Sequence, residues 1–321
     1  MDMDHLNSTA HDMMKRARGV LFVAHRSPDG DTLGAVSALA RWCDREGVPA
    51  TRFCLDRIPP QYLFLHGAER FVSDPAEIVG GGHDLIVVCD CGDLKIAGVE
   101  AEVRAAGKDG VSVINLDHHA SNVGFGHLNV VDAGASSTCE MAHRLLVEAE
   151  AEICHEMATA LLTGIVTDTE NFSNPATSRS SIDTASELLR RGARLGEISR
   201  NVIRNKSVES LRLWGLVLSR LKYDPALGMA STAILADDLT AGTTEEHIVG
   251  VSNFLNSMLD AKVTLVLREM PDGQVRGSLR SVEGVDVSTI AKKMGGGGHQ
   301  MAAGFSVKGK IVEYEHGWQV V

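Results

Sequence analysis

The sequence predicts an α/β protein: an N-terminal parallel-sheet domain with helices on both faces, followed by a smaller C-terminal α/β domain with a mixed sheet. Three observations predict it. The apolar runs "GVLFVAH" (19–25), "DLIVVCD" (84–90) and "VSVINLD" (111–117) alternate with helical patterns, and strands apolar on both sides belong to a parallel sheet covered on both faces. At 321 residues the chain is long for one domain and comfortable for two. Past residue 222 the pattern changes to strands of a different kind, two of them joined by a turn signal. These observations place an N-terminal domain at 1–190, a helical linker at 191–222 and a C-terminal domain at 223–321.

The elements follow in order. "TLGAVSALARWCDREG" (32–47) has helical periodicity and ends at Gly47, a natural stop. "SSTCEMAHRLLVEAEA" (136–151) opens with a capping box, Ser137 to Glu140, and "CHEMATALLTGIVTD" (154–168) is apolar enough for a buried helix. Residues 181–222 read as helical. "MASTAIL" (229–235), "KVTLVLREM" (262–270) and "QVRGSLRS" (274–281) read as strands, the last two joined across "PDG". "DVSTIAKKM" (286–294) reads as a short helix before "GGGGHQMAAGF" (295–305).

Composition narrows the class. Hydrophobic residues make up 44% and charged residues 23%, the balance of a globular protein. No stretch reaches the roughly 20 apolar residues of a membrane span, and "MDMDHLNSTAHDMMKRARG" has no signal-peptide core, so a cytoplasmic protein without membrane contact is expected. The six cysteines lack C-x-x-C spacing and read as buried, reduced thiols; alternation puts Cys89 and Cys91 on the face opposite Asp90. A net charge of −11 excludes a grip on long nucleic acid, which needs a basic stripe, and leaves room for a small anionic substrate in a local pocket.

Acids and histidines recur where apolar segments end: His25, Asp29 and Asp31; Asp90; Asp117, His118 and His119; and Asp168. Ligand sites of open parallel sheets form at the carboxyl ends of strands, so these ends are expected to converge. Singly, each has a bland reading: "PDGD" as a turn, Asp90 as the N-cap of the next helix, "DHH" as surface loop, Asp168 as a solvated helix end. Jointly those readings give no reason for acids and imidazoles at one sheet edge. The donor set suits Mn²⁺, and less exclusively Mg²⁺, Co²⁺, Fe²⁺ or Zn²⁺. Its size points to two ions about 4 Å apart, a geometry that serves phosphoester hydrolysis.

In this order, "HRSPDGD", "VVCDCGD", "DHH", "GIVTDTENF" and "GGGGHQMAAGF" resemble the motifs of the DHH phosphoesterases, most of all the bifunctional oligoribonuclease and pAp phosphatase type. The resemblance implies that His25 and Asp29 hold one Mn²⁺ while Asp31 and His118 hold the other, with Asp90 and Asp168 shared or close to both. Mg²⁺ or Co²⁺ are alternatives. It implies that His119 faces the phosphate as charge stabiliser or proton donor and that Asp117 orients the loop. Gly295, Gly296, Gly297, Gly298 and His299 become a substrate loop, against the alternative of a flexible linker, and Arg280 a phosphate-clamping arginine, against that of a solvated strand residue. Glu170 departs from the small glycine of these relatives, which bears on substrate range.

The expected substrates are RNA of about two to five nucleotides and adenosine 3′,5′-bisphosphate (pAp). The alternative is a cyclic- or linear-dinucleotide phosphodiesterase acting on c-di-AMP, pApA or pGpG. A pyrophosphatase is disfavoured by the tail, a long-strand exonuclease by the acidic charge, and a non-cleaving nucleotide sensor by the intact ligand set. A homodimer is an open alternative for which the sequence marks no interface.

Overall fold

The computed structural model describes residues 2–239, 247–248, 250–282, 284–314 and 317–321. The chain divides into two compact units, Met1–Asn205 and Lys206–Val321.

In the first unit the strands are β1 (Val20–Val23), β2 (Ala50–Phe53), β3 (Phe71–Val72), β4 (Leu85–Cys89), β5 (Ser112–Asp117) and β6 (Leu128–Val131). They pair in parallel in the order β3-β2-β1-β4-β5-β6. The helices are α1 (Met3–Arg16), α2 (Gly30–Glu46), α3 (Ala76–Gly80), α4 (Leu94–Ala97), α5 (Glu100–Lys108), α6 (Thr138–Glu148), α7 (His155–Asp168), α8 (Arg179–Arg190) and α9 (Leu195–Ile198). One core cluster joins α1, α2, α6 and α7 to one sheet face through Phe22, Val87, Ile114 and Leu161. A second joins α3, α4 and α5 to the other through Leu21, Ile86, Val88 and Val113. The strands are therefore apolar on both sides because both sides are covered, as their continuous Val/Ile runs predict. Chain order reverses between β1 and β4, which opens a crevice at their carboxyl ends.

Glycine sets the closeness of α2 and α7. A methyl group on Gly164 would sit 2.5 Å from Asp31 Oδ1 and 2.8 Å from Cys139 Cβ, distances that no packed side chain tolerates. Gly47 closes α2 in the left-handed conformation, φ 77°, as its position predicts.

The second unit contains α10 (Val208–Ser219), β7 (Lys222–Asp224), β8 (Met229–Ile234), α11 (Val251–Met258), β9 (Val263–Glu269), β10 (Gln274–Ser281), α12 (Ser288–Lys293), β11 (Gly297–His299), β12 (Ala302–Lys308), β13 (Ile311–Tyr314) and β14 (Gly317–Val320). Its sheet runs β11-β12-β10-β9-β8-β7 and is mixed, with only β8 and β9 parallel. The segment 191–222, expected as a linker, is shared out instead. Ile198 of α9 is buried in the first unit's core, and Trp214 and Val217 of α10 are buried in the second's. Amphipathic helices that bury a face belong to the unit that supplies the apolar partner.

Candidate active site

His25 follows β1, and its ring Nδ1 lies 2.6 Å from the Arg26 carbonyl oxygen, which turns Nε2 toward Asp90 Oδ2 (3.4 Å) and Asp29 Oδ1 (3.7 Å). Asp29 is the N-cap of α2: its carboxylate accepts from the backbone N–H groups of Asp31 and Thr32. The turn reading of "PDGD" is thus met by the same carboxylate that faces His25. Asp31, 0% exposed, lies two residues further in. Its two oxygens accept from the backbone N–H groups of Thr138 (2.7 Å) and Cys139 (2.8 Å) at the start of α6, an end of the helix that favours negative charge.

Asp90, 4% exposed, follows β4 with φ 58°, a left-handed conformation that aspartate adopts more readily than most residues. It does not cap the next helix; Asp93 caps α4. Its Oδ1 accepts from Thr138 Oγ1 (3.2 Å) and lies 3.5 Å from His118 Nε2 and 3.6 Å from His119 Nδ1. His118 Nε2 also meets Asp168 Oδ2, at the last residue of α7, at 3.1 Å. Asp117, 0% exposed at the end of β5, lies 2.7 Å from His119 Nδ1 through Oδ1, and its Oδ2 accepts from Asn122 Nδ2 at 2.5 Å.

The side chains fall into groups whose donor atoms lie within 4.8 Å of one another: His25, Asp29 and Asp90; Asp31, His118 and Asp168; and Asp90, His118 and His119. All four chain ends singled out in the sequence therefore meet at the crevice between β1, β4 and β5. The electrostatics are those of carboxylates packed against imidazoles. Burial alone would lower the His25 pKa, but Asp29 and Asp90 outweigh it and lift the ring to about 11. Burial opposes His118 in the same way, and Asp168 with Asp31 lift it to about 10. Burial, with the Asp90 charge, holds the Asp168 carboxyl up at about 6 against the pull of His118. The Asp31 carboxyl is pushed well above its ordinary range by burial and by Asp168 and Asp90. So many close acids repel unless positive charge sits among them, and carboxylates mixed with imidazoles are donors for divalent cations of the Mn²⁺ to Zn²⁺ range. The donor set fits such ions.

Several supporting groups went unread in the sequence: the Thr138 and Cys139 amides, Asn122, and Thr32, whose Oγ1 donates to the Cys89 carbonyl and accepts from the His25 N–H. The capping box at Ser137 was the available signal for the amides, since a capped helix start is a cluster of free N–H groups. Only half of that box forms. Ser137 caps the Glu140 N–H, while the Glu140 carboxylate turns to Ser136 and Ser180.

Glu170, Asn171 and Phe172 follow Asp168 with φ 48°, 59° and 63°, so Glu170, at the position where the resemblance implies glycine, adopts a glycine-type conformation. Thr169 and Asn174 brace this turn, Asn174 Nδ2 donating to the Asp168 carbonyl at 2.7 Å.

In the second unit, Arg280 lies on β10, where Nε donates to Asn253 Oδ1 of α11 (2.9 Å) and Nη1 to the Leu279 carbonyl (3.0 Å). The glycine run is a turn and a hairpin strand rather than a loop. Gly295 has φ 76° after α12, and a methyl group on Gly298 would sit 2.5 Å from the Ala302 carbonyl oxygen and Ala303 Cα; Gly296 is equally close to β12, while Gly297 faces open space. The hairpin thus requires three of these glycines for its own backbone. The backbone of His299 pairs with Ala302; its side chain lies outside the described residues.

A doubly wound parallel sheet with an acid and imidazole cluster at its switch point defines a class of α/β proteins built around a divalent-cation site. Residues 19–165 match the DHH family, N-terminal domain, and residues 231–315 match the DHHA1 domain. The chain belongs to the DHH family of phosphoesterases. It is 34% identical over 93% of its length, and 87% of the relative's, to the bifunctional oligoribonuclease and PAP phosphatase of Thermus thermophilus. To the Bacillus subtilis protein of the same description it is 26% identical, over 90% of this chain and 89% of that one. A crystal structure of an exopolyphosphatase-related protein from Bacteroides fragilis shares the fold, with a TM-score of 0.86, 24% identity, and coverage of 95% of this chain and 92% of that one. Among the described residues no helix is long and apolar enough to cross a membrane.

Proposed function

We propose that this protein hydrolyses RNA of about two to five nucleotides to mononucleotides and dephosphorylates pAp to AMP. The observation that carries the reading is the meeting of His25, Asp29 and Asp90 with Asp31, His118 and Asp168, Asp90 lying in reach of histidines from both sets. The T. thermophilus and B. subtilis relatives, described by both activities and matched over nine-tenths of this chain, support it. His25, Asp29 and Asp90 would hold one divalent ion and Asp31, His118 and Asp168 the other, Mn²⁺ being the best match to carboxylates mixed with imidazoles. When bound, two such ions supply Lewis acidity toward the phosphoryl group and make water acidic enough to attack phosphorus.

The protein's own residues do the rest. The backbone amides at the start of α6 keep Asp31 fixed, so its oxygens need no reorganisation on binding. Asp117 holds His119 by Nδ1, which leaves Nε2 for a phosphate oxygen, where the ring stabilises charge or hands a proton to the leaving oxygen. Asn122 fixes Asp117 in turn. Arg280, its guanidinium oriented by Asn253, takes the terminal phosphate of the substrate, and the open backbone at Gly297 lets that phosphate approach.

The test is Mn²⁺-dependent nucleotide release from a 5′-labelled RNA dinucleotide, pAp and a long RNA strand at matched concentrations. Fast turnover of the first two with slow turnover of the third is the expected result. Hydrolysis of none of them would overturn the reading, and turnover confined to c-di-AMP, pApA or pGpG would replace it with the dinucleotide alternative.

A further inference from the structure

Strand β5 carries an amide inside its apolar run. Val113 packs into the core on the side of the sheet that α3, α4 and α5 cover, and Asn115, two positions on and 0% exposed, points to that same side. Packing gives no reason for an amide there, since a leucine of similar volume would fill the space and an unsatisfied buried amide is costly. Asn115 is fully engaged instead. Its Nδ2 donates to Asn122 Oδ1 (2.8 Å) and to Asn129 Oδ1 (3.1 Å), and its Oδ1 accepts from Asn122 Nδ2 (3.3 Å). Asn129 is its level neighbour on β6. Gly126 closes the group: its N–H donates to Asn129 Oδ1 and its carbonyl accepts from Asn129 Nδ2, both at 2.9 Å. A methyl group on Gly126 would sit 2.9 Å from the Asn115 backbone nitrogen, so the loop is pressed onto Asn115.

These amides run in one direction. As a carboxylate Asp117 offers acceptors only, so Asn122 must present Nδ2 to Asp117 Oδ2 (2.5 Å). That turns Asn122 Oδ1 toward Asn115 Nδ2 and the Gly124 N–H (2.8 Å). Asn115 is then obliged to donate and Asn129 to accept. Turning any one amide over would set oxygen against oxygen, or N–H against N–H, at its neighbour. At the far end Asp117 Oδ1 accepts from His119 Nδ1 (2.7 Å), which places the ring hydrogen on Nδ1 and fixes the ring's orientation. The Asn122 backbone N–H also donates to the His119 carbonyl (3.0 Å), so one asparagine holds both the main chain and, through Asp117, the ring of His119.

Resting on the function proposed above, we infer that Asn115 is a positioning residue for His119: it acts through Asn122 and Asp117 and keeps ring Nε2 at the place where the phosphate reacts. Asn115 itself touches neither substrate nor ion. The segment between β5 and β6 has to hold a ring in a set place although Ser121, Val123 and Gly124 within it are exposed, and Asn115 anchors it from inside the sheet. Without that anchor Asn122 is free to turn, Asp117 loses the bond that fixes it, and the His119 ring gains other orientations. The loss falls on the chemical step rather than on the cation donors. Asp31 and Asp90 are held by the start of α6, whereas the ring is needed in place as charge develops on the phosphate and the leaving oxygen.

The experiment is a double-mutant cycle in the full-length protein, with Asn115→Leu and His119→Ala made singly and together. Turnover with Mn²⁺ is measured on an RNA dinucleotide and on pAp, Mn²⁺ affinity by titration, and the hydrogen of the His119 ring by NMR of the metal-free protein. Asn115→Leu is expected to lower kcat about 10- to 30-fold while KM and Mn²⁺ affinity stay within about twofold. In the His119→Ala background the same change should alter kcat less than about twofold, because the group it acts through is gone. The ring hydrogen should sit on Nδ1 in the unaltered protein and spread over Nδ1 and Nε2 in Asn115→Leu. Equal fold-losses in both backgrounds, or Mn²⁺ affinity falling in step with kcat, would overturn the inference and leave Asn115 a packing residue, with the hydrolase reading in place. Where Asn115→Leu fails to fold, Asn129→Ala removes a half-buried acceptor of Asn115 Nδ2 and should show the same dependence on His119 at about threefold; a loss independent of His119 would overturn it too. If the unaltered protein turns over neither substrate, the hydrolase reading fails, and the NMR comparison still decides whether Asn115 orders the His119 ring, an unchanged ring counting against it.

Discussion

In the first unit Asp31, Asp90 and Asp117 are at most 4% exposed, and each carboxylate is gripped by hydrogen bonds from elsewhere in the chain. In the second, Arg276 and Lys308 stand exposed on strands, and Arg280 is steadied by Asn253 and a carbonyl. On the function proposed above, a divalent ion accepts little error in ligand position, which buried, hydrogen-bonded carboxylates such as Asp31 and Asp90 suit. Long cationic side chains exposed on a strand keep their rotamer freedom instead.

That contrast can be broken at several points. Asp90→Ala removes the carboxylate that approaches His25, His118 and His119, and turnover of every substrate should fall at least about a thousandfold, ~4 kcal/mol of barrier; activity above about a tenth of the original would remove Asp90 from the mechanism. Metal affinity should rise with pH. In metal-free protein His25 and His118 hold protons up to about 11 and 10, so a cation must displace them, and affinity gains roughly tenfold per pH unit for each proton released. Mn²⁺ titrations at pH 6, 7 and 8, with proton release read by calorimetry in two buffers, check the sign. The same raised values stabilise the metal-free fold below about pH 6.5, and that contribution is lost as pH climbs through 10.

A pair of glycine substitutions compares the two units directly. Gly164→Ala should cost roughly 1–3 kcal/mol, because the new methyl meets Asp31 and Cys139, whereas Gly297→Ala should stay within about 0.5 kcal/mol, since its methyl meets open space. Thermal melts of both variants decide it. Arg280→Ala should raise KM about tenfold for every substrate with a terminal phosphate and change kcat less; a loss confined to kcat would instead place Arg280 at the reacting phosphorus. Glu170→Gly is expected to gain about 0.5–1 kcal/mol from relieving a left-handed residue. An unchanged melting temperature would show that the Glu170 side chain offsets its own strain.

The central strands β1, β4 and β5 and the meeting of their chemistry-bearing ends were legible because each of the three is a continuous apolar run that leads into a charged or imidazole residue. Strands β2, β3 and β6 were not, since "ATRF", "FV" and "LNVV" are short and polar enough to pass for loop. How the helices of 191–222 divide between the two units was not legible, because periodicity shows that a helix has an apolar face but not which core that face joins. The supporting residues were hidden for a similar reason. Asp31 and Thr138 lie 107 positions apart, and no local pattern reports a hydrogen bond across such a span. The glycine run misled in a subtler way: it reads as freedom for a ligand, yet close packing of the β11–β12 hairpin accounts for most of it.

The bonds from α6 to Asp31 also bear on how the centre is assembled. Folding itself delivers that carboxylate, because the helix start and the acid satisfy each other before any cation arrives. On the function proposed above, such a centre is expected to be drained with a chelator and recharged without refolding, so that different cations can be compared in one preparation. Which ion works best then becomes a question of supply and turnover rather than of which protein can be made to fold.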